Sequence, residues 1–250
     1  MLIEAIALRR NGSFAQSADQ LQSLILQYPA WWEAHLQLGL TLTGAGHADA
    51  ALAALRRATQ CDPNQSDAWR ALGDQCRLMG LAAEAETCNQ QQLRTATRHP
   101  TLISAAEHLS TNKLAAAERA LKGHLRQFPT DFIAIRMLAE LAARLGRYED
   151  AEHLLERCIE IAPEFNVAQQ NYALILLRQN KATAALAVLE RQLAIEPSDP
   201  QTQVLTANCL VQIGKYAEAI ELYRGVLEQY PEQPKLWMNY GHALKTENRR

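Results

Sequence analysis

The chain has 250 residues, of which 48% are hydrophobic, and its 27 acidic and 25 basic side chains leave a formal net charge of −2. Because the sequence has neither a basic excess nor a run of Lys and Arg, we expect neither nucleic acid nor an anionic membrane as a partner. The longest apolar runs, Tyr172–Leu177 among them, are too short to cross a bilayer, and Glu4 interrupts the apolar stretch at the N-terminus, where a signal peptide would need continuity. The five cysteines are never closer than 12 residues and suggest neither a disulfide framework nor a metal site, so we expect a cytoplasmic protein.

Prolines and turn residues return along the chain at a fixed interval. Pro29 and Pro63 are 34 residues apart, and so are the consecutive members of the set Pro129, Pro163, Pro197 and Pro231. A turn position holds Gly12, Gly46, Gly80, Asn112, Gly146, Asn180, Gly214 and Asn248, with one interval of 32 residues and the others of 34. A period of this length indicates an array of structural repeats.

Each repeat is predicted to form two amphipathic helices. Apolar residues at three- and four-residue spacing, such as Leu138, Leu141 and Leu145, predict a first helix that ends at the Gly or Asn of the turn position. Gly and Asn tolerate the left-handed backbone conformation that ends a helix, and the proline stops the second helix. In chain order the predicted units span about residues 1–31, 32–65, 66–99, 100–131, 132–165, 166–199 and 200–233, followed by a partial unit at 234–250.

The fourth repeat and the two chain ends depart from this pattern. Asn112 follows Pro100 two residues early, so the first helix of this repeat should be about half a turn shorter and should change the curvature locally. The chain begins inside a first helix and stops soon after Asn248, before any eighth second helix. We therefore expect a segment of a longer protein, and the alternative is a natural end that dimerises.

Two positions of the repeat hold only small residues. A small side chain lets two helix backbones approach closely, so these positions predict contacts between the helices of each pair and their neighbours. The first helices contribute Ala5, Gly39, Gly73, Ala105, Ala139, Ala173, Ala207 and Gly241. The second helices contribute Ser17, Ala51, Ala85, Ala117, Ala151, Ala185 and Ala219.

Aromatic, Gly, Ala and Pro residues also recur at fixed offsets from one another. The third repeat carries Trp69, Leu72, Gly73, Gly80 and Ala85, and the fifth carries Gly146, Tyr148, Ala151 and Pro163. Over the whole chain this pattern resembles the tetratricopeptide repeat family. The resemblance implies an all-α fold without strands, a right-handed α-solenoid of about seven to eight helix-turn-helix repeats whose first helices line a concave groove.

The sequence contains no recognisable catalytic or metal-binding motif. It lacks a Gly-rich phosphate loop, a Gly-x-Ser-x-Gly segment and a His-Glu-x-x-His segment. His108 and His124 come nearest to a metal pair, but they lie in different predicted helices without an acidic or cysteine partner at ligand spacing. We therefore expect that this chain is not an enzyme and holds neither a metal ion nor a cofactor.

Positions beside the buried stripe of the first helices contact ligands in tetratricopeptide proteins, so the resemblance implies that this surface binds an extended peptide or protein. Asn and Gln can bond a peptide backbone, and Arg adds a preference for carboxylates, which favours an acidic partner. The alternative is that these residues form only the solvated faces of helices. The candidate residues are Arg70, Arg77, Arg136, Glu140, Arg144, Asn171, Arg178, Asn208, Gln212, Asn239 and His242.

The last predicted helix, residues 236–246, resembles the final repeats before the catalytic domain of bacterial tetratricopeptide-sulfotransferase fusion proteins. That family uses 3'-phosphoadenylyl sulfate, which a phosphate loop after a strand binds, and this sequence predicts neither feature. Two functions of different class are therefore expected. One is a peptide-binding scaffold, and the other is the substrate-recruiting arm of a sulfotransferase whose catalytic domain, with that cofactor, lies beyond Arg250.

Overall fold

The computed structural model describes residues 1–96 and 99–248, which form α-helices joined by short turns, without a strand in either range. The helices are α1 (Leu2–Arg10), α2 (Phe14–Gln27), α3 (Trp32–Gly44), α4 (Ala48–Cys61), α5 (Ser66–Leu78), α6 (Ala82–Ala96), α7 (Pro100–Ser110), α8 (Leu114–Gln127), α9 (Phe132–Arg144), α10 (Tyr148–Ile161), α11 (Asn166–Arg178), α12 (Ala182–Ile195), α13 (Pro200–Gln212), α14 (Tyr216–Gln229) and α15 (Pro234–Glu247).

The chain divides into two compact units, Met1–Ile133 (unit 1) and Ala134–Arg250 (unit 2), with the division inside α9. In unit 1 the helices of each pair pack on each other, and first helices of neighbouring repeats also touch, α1 on α3 and α3 on α5. In unit 2 the same contacts join α11 to α13 and α13 to α15. Successive stacking of helix pairs is the arrangement of a solenoid, so the predicted all-α solenoid is confirmed.

Seven of the eight turn positions have the left-handed backbone conformation that the sequence predicts. Asn112 and Asn180 have φ angles of 55° and 61°, and the five glycines of the turn position have φ angles between 72° and 85°. Behind Asn112, the backbone N–H of Lys113 donates to the carbonyl of His108 at 2.8 Å and closes α7. The prediction is wrong for Asn248, which has a φ of −69°. Asn248 instead continues the right-handed helical backbone conformation of α15.

The proline that ends a second helix leaves its own carbonyl without a helical partner. In five repeats a side chain six residues later hydrogen-bonds to this oxygen. Such a bond fixes the first turn of the next helix against the preceding proline. The pairs are His35 with Pro29 (2.9 Å), Trp69 with Pro63 (2.8 Å), Gln169 with Pro163, Gln203 with Pro197 (2.7 Å) and Trp237 with Pro231 (2.8 Å).

The small-residue positions lie where helices approach each other closely. A Cβ atom at Gly39 would lie 2.5 Å from Cγ of Leu55, and a Cβ atom at Gly73 would lie 3.2 Å from Cβ of Cys88. Gly241 differs, because it is exposed and a Cβ atom there would meet nothing within 4 Å. No second helix covers it in the described part of the chain, so the predicted contact is not made at this residue.

The first helix of the fourth repeat has the predicted length. α7 has 11 residues, whereas α5 and α13 each have 13. Beyond α8, the hydroxyl of Thr130 donates to a carboxylate oxygen of Asp74 on α5 at 2.6 Å, although 56 residues separate the two. The connection between the fourth and fifth repeats therefore contacts the first helix of the third repeat.

Candidate functional site

In unit 1 the first helices α1, α3 and α5 and the connection between α8 and α9 form a groove of about 830 Å³. The opposite stripe of each first helix is buried in the core, so the remaining face is available to line a groove. We call this surface the unit 1 groove. Its lining includes Ile6, Arg9, Arg10, Trp32, Glu33, Leu36, Gln37, Leu40, Asp67, Arg70, Asp74, Leu78, Arg126, Phe128 and Thr130.

The groove follows the repeat positions that the sequence analysis selected. Arg9 and Arg77 both lie three residues before a turn residue, and Arg10 lies two residues before one, as do Arg144 and Arg178. The position six residues before the turn holds Ile6, Leu40 and Asp74 in the unit 1 groove, and Glu140, Asn208 and His242 in later repeats. Ile6, Arg9, Arg10, Leu40 and Asp74 therefore share one surface, whereas Arg77 does not belong to its lining.

A buried polar cluster supports the wall that the α8–α9 connection gives to the groove. The Asp131 carboxylate accepts hydrogen bonds from the backbone N–H of Ile133 (3.1 Å) and the side chain of Gln92 (3.2 Å). It also lies 2.7 Å from Nε2 of His124 and 3.6 Å from Nη1 of Arg70. A carboxylate that is only 2% exposed needs such partners, because an unpaired buried charge is costly. We call Arg70, Gln92, His124 and Asp131 the Asp131 cluster.

Arg70 and Arg77, which were predicted to face a ligand, have partners within unit 1. Arg70 is 5% exposed, donates to Asp67 at 2.8 Å and stacks with its guanidinium carbon 3.8 Å from the centre of the Phe128 ring. Arg77 forms an ion pair with Asp74. Arg70 is therefore part of the groove wall, and both arginine charges are balanced by carboxylates of α5.

Three arginines that the sequence analysis did not select also line the unit 1 groove: Arg9, Arg10 and Arg126. The Nη2 of Arg9 donates to the side-chain oxygen of Gln37 at 3.2 Å. Burial and, secondly, the charge of Arg10 lower the pKa of Arg9. The shared position with Arg77 was a sequence signal for Arg9, whereas Arg126 lies at the end of α8 and carried no such signal.

The predicted residues on α9 in unit 2 form a row of ion pairs. Glu140 lies between two arginines one turn away on either side, 3.4 Å from Arg136 and 2.5 Å from Arg144. Arg144 keeps 41% of its side chain exposed. The carboxylate of Glu140 therefore offsets part of the positive charge on this helix face.

Three further hydrogen bonds involve the remaining predicted residues of unit 2. Asn208 accepts hydrogen bonds from the hydroxyl of Tyr223 (2.7 Å) and from the amide of Asn239 (3.2 Å), and so belongs partly to the internal structure. Gln212 donates to Asn180 at 2.9 Å. Arg178 and His242 are exposed, and Asn171 is half-buried.

The described residues contain no cluster of side chains that could hold a metal ion. Among the helices in these ranges, none has the length and apolar character needed to cross a membrane. Burial raises the pKa of the Cys88 thiol to about 12 and that of Cys209 to the same value. These thiols are therefore protonated near neutral pH, which suits packing rather than nucleophilic chemistry.

Two tetratricopeptide repeat family models match the chain, one at residues 4–66 and the other at residues 108–175. The chain is a tetratricopeptide repeat protein. A third family model, described as anaphase-promoting complex, cyclosome, subunit 3, matches residues 144–226. These matches agree with the helix pairs and turns described above.

The chain is similar to parts of longer tetratricopeptide relatives. It is 25% identical over 209 residues to cellulose synthase 1 operon protein C of Komagataeibacter xylinus, covering 76% of this chain and 16% of that protein. It is 33% identical over 113 residues to the cytochrome c-type biogenesis protein CycH of Rhizobium meliloti (strain 1021), covering 44% of this chain and 30% of that protein. The chain thus spans less than a third of either relative.

Solved structures share the fold at low sequence identity. The crystal structure of the APC/C hetero-tetramer Cut9-Hcn1 matches with a TM-score of 0.55 and 15% identity, over 96% of this chain and 48% of that one. A tetratricopeptide repeat protein from Parabacteroides merdae ATCC 43184 matches with a TM-score of 0.50 and 14% identity, over 97% of both chains. At these identities the likeness shows the solenoid fold alone.

Proposed function

We propose that this tetratricopeptide chain is a protein-binding scaffold that holds an extended segment of a partner in the unit 1 groove. The observation that carries the proposal is the groove itself, about 830 Å³ in volume and continuous along the first helices of three repeats. Ligand sites in proteins are concave, largely apolar and equipped with a few polar groups that orient the ligand. The unit 1 groove has this composition.

The apolar part of the groove is open to a ligand. Leu78 is 74% exposed although it lines the groove, and Trp32 and Leu40 are only partly buried. Covering exposed apolar area is favourable by about 25 cal/mol per Å². An apolar side chain of a bound segment would therefore gain affinity by covering these residues.

The wall of the groove is pre-organised. The Asp131 cluster and the bond from Thr130 to Asp74 hold the α8–α9 connection against α5. A wall fixed before binding reduces the entropy lost when a complex forms. We therefore expect the partner segment to bind a largely preformed surface.

The polar face of unit 2 is a second proposed contact surface. Arg144 and Arg178 occupy the repeat position of Arg10 and Leu78, which line the unit 1 groove, and both are exposed. Within unit 2 these arginines would bind carboxylates of an acidic partner. The alternative role as a sulfotransferase arm depends on the sequence of α15 alone and stays a prediction about residues beyond Arg250.

A selection from a random displayed peptide library on the purified chain tests the proposal. Selected peptides are titrated against wild type, Leu78→Gln and the control Leu26→Gln. Both leucines are exposed, 74% and 83%, and Gln keeps a good helix propensity, so neither substitution should harm the fold. Leu78→Gln should weaken binding by about tenfold to hundredfold, since a covered Leu contributes about 1.5–3 kcal/mol. Selected peptides that bind both variants as they bind wild type would refute the apolar contact at Leu78, and peptides that are also indifferent to the arginines of the groove would refute the groove as the binding surface.

A further inference from the structure

We propose that the unit 1 groove selects acidic segments, with Arg9, Arg10 and Arg126 binding their carboxylates while apolar residues of the same segment cover Trp32 and Leu78. This inference rests on the proposed function and adds the chemistry of the partner. It concerns arginines of α1 and of the end of α8, outside the set that the repeat pattern selected.

The first argument is the charge that remains after the internal ion pairs are formed. Two acidic residues of the lining, Asp67 and Asp74, are already paired with arginines of α5. Within residues 1–96 and 99–248, no carboxylate forms an ion pair with Arg9, Arg10 or Arg126.

The acidic lining residue without an ion pair in those ranges is Glu33. Three unpaired arginines therefore face one unpaired carboxylate along the groove. This excess is local, because the whole chain is close to neutral. A surface of positive potential attracts acidic partners and repels basic ones.

The second argument is the state of the Arg9 side chain. Its Nε is buried and has no hydrogen-bond partner among the residues that the structure describes, although Nη2 is bonded to Gln37. A buried donor without a partner carries a desolvation cost, so the bond to Gln37 does not satisfy the whole Arg9 guanidinium. The fork of donors on a guanidinium matches the two oxygens of a carboxylate, so a carboxylate fits this donor better than an amide does.

The third argument is the repulsion between neighbouring arginines. Arg9 and Arg10 are adjacent in α1, both line the groove, and the charge of Arg10 adds to burial in lowering the pKa of Arg9. A bound carboxylate would offset this repulsion. The Arg126 side chain, which lines the groove from the end of α8, would engage a second carboxylate of the same segment.

The test uses the same random displayed peptide library and examines the composition of the selected pool. We expect the pool to be enriched in Asp and Glu together with Leu or aromatic residues. A synthetic peptide from the pool should bind more weakly when each of its acidic residues is replaced by the corresponding amide. Its binding should also weaken as salt is added, because salt screens exposed charges.

Three charge-removing variants complete the test: Arg9→Gln, Arg126→Gln and the control Arg119→Gln. Arg119 and Arg126 are both exposed on α8, but only Arg126 lines the groove. Loss of one charged hydrogen-bond partner should weaken the acidic peptide about tenfold to hundredfold, and Arg119→Gln should leave its affinity unchanged. Far-UV circular dichroism checks that each variant is folded. If Arg9→Gln does not fold, Arg126→Gln still tests the proposal.

The outcomes separate the two proposals. A pool that depends on Leu78 but is not acidic, or whose binding survives both Arg9→Gln and Arg126→Gln, overturns the acidic preference and leaves the scaffold function intact. A pool that ignores Leu78 but depends on Arg126 refutes the apolar part of the proposal. The absence of any peptide that depends on Leu78, Arg9 or Arg126 refutes both.

Discussion

Replacing Gly39 by alanine should destabilise the protein, although alanine is the better helix former. The new Cβ atom would lie 2.5 Å from Cγ and 2.6 Å from Cδ2 of Leu55, which is 1% exposed and cannot turn away freely. Overpacking of a filled core costs about 1–3 kcal/mol. Because Cγ is the branch point of the Leu55 side chain, it cannot move away by a simple rotation of a terminal methyl, so we expect a cost in the upper half of this range. The better helix propensity of alanine offsets about 1 kcal/mol of this cost, so we expect the free energy of unfolding to fall by about 1–2 kcal/mol.

Gly123→Ala is the matched control in the same unit. Gly123 lies inside α8, and a Cβ atom there would meet no atom of another element within 4 Å among the described residues. This substitution should stabilise the protein by about 0.5–1 kcal/mol, because only the backbone entropy of glycine changes. Urea unfolding of both variants and wild type, followed by far-UV circular dichroism, gives the two differences. If Gly39→Ala were as stabilising as Gly123→Ala, the close contact between α3 and α4 would be refuted.

Three further predictions concern packing, local stability and pH. Ala151→Leu should lower the free energy of unfolding in urea by about 1–3 kcal/mol, because Ala151 is fully buried. The control Ala187→Leu, at an exposed position of α12, should lower it little. Equal effects of the two substitutions would contradict the repeat register. Amide hydrogen exchange should be faster in the short α7 than in α9, and equal protection would argue against a weak fourth repeat. Burial lowers the pKa of His99 in the folded state, so its protonation favours unfolding and stability should fall as the pH drops below about 6.5. His99→Gln should remove this part of the pH dependence of the urea midpoint, and an unchanged profile would show that His99 is not its source.

The features that follow from local chemistry were predictable from the sequence. Asn112 and Asn180 take a left-handed φ because a helix must end there and asparagine tolerates that conformation, which the turn pattern indicates without any tertiary information. Gly39 lies against a residue of the second helix of its pair, Leu55, and the column of small residues predicts a close helix contact at that position. A repeat makes such contacts periodic, so the sequence predicts them directly.

Contacts that skip a repeat could not be predicted in this way. The bond from Thr130 to Asp74 joins residues 56 positions apart and depends on the irregular fourth repeat. The same region buries Arg70 beneath Phe128, whereas the repeat position of Arg70 favoured an open surface. Arg126 reaches the groove from the end of a second helix, a location that the pattern of first helices does not cover.

The measurement that tests the scaffold function most directly is hydrogen exchange of the chain with and without a peptide selected from the library. A segment bound in the unit 1 groove covers one face of α1, α3 and α5 and stabilises the packed helices beneath it. We expect increased protection in these first helices and in residues 126–130. Protection confined to the second helices α2 and α4, with α3 and α5 unchanged, would contradict binding in the groove.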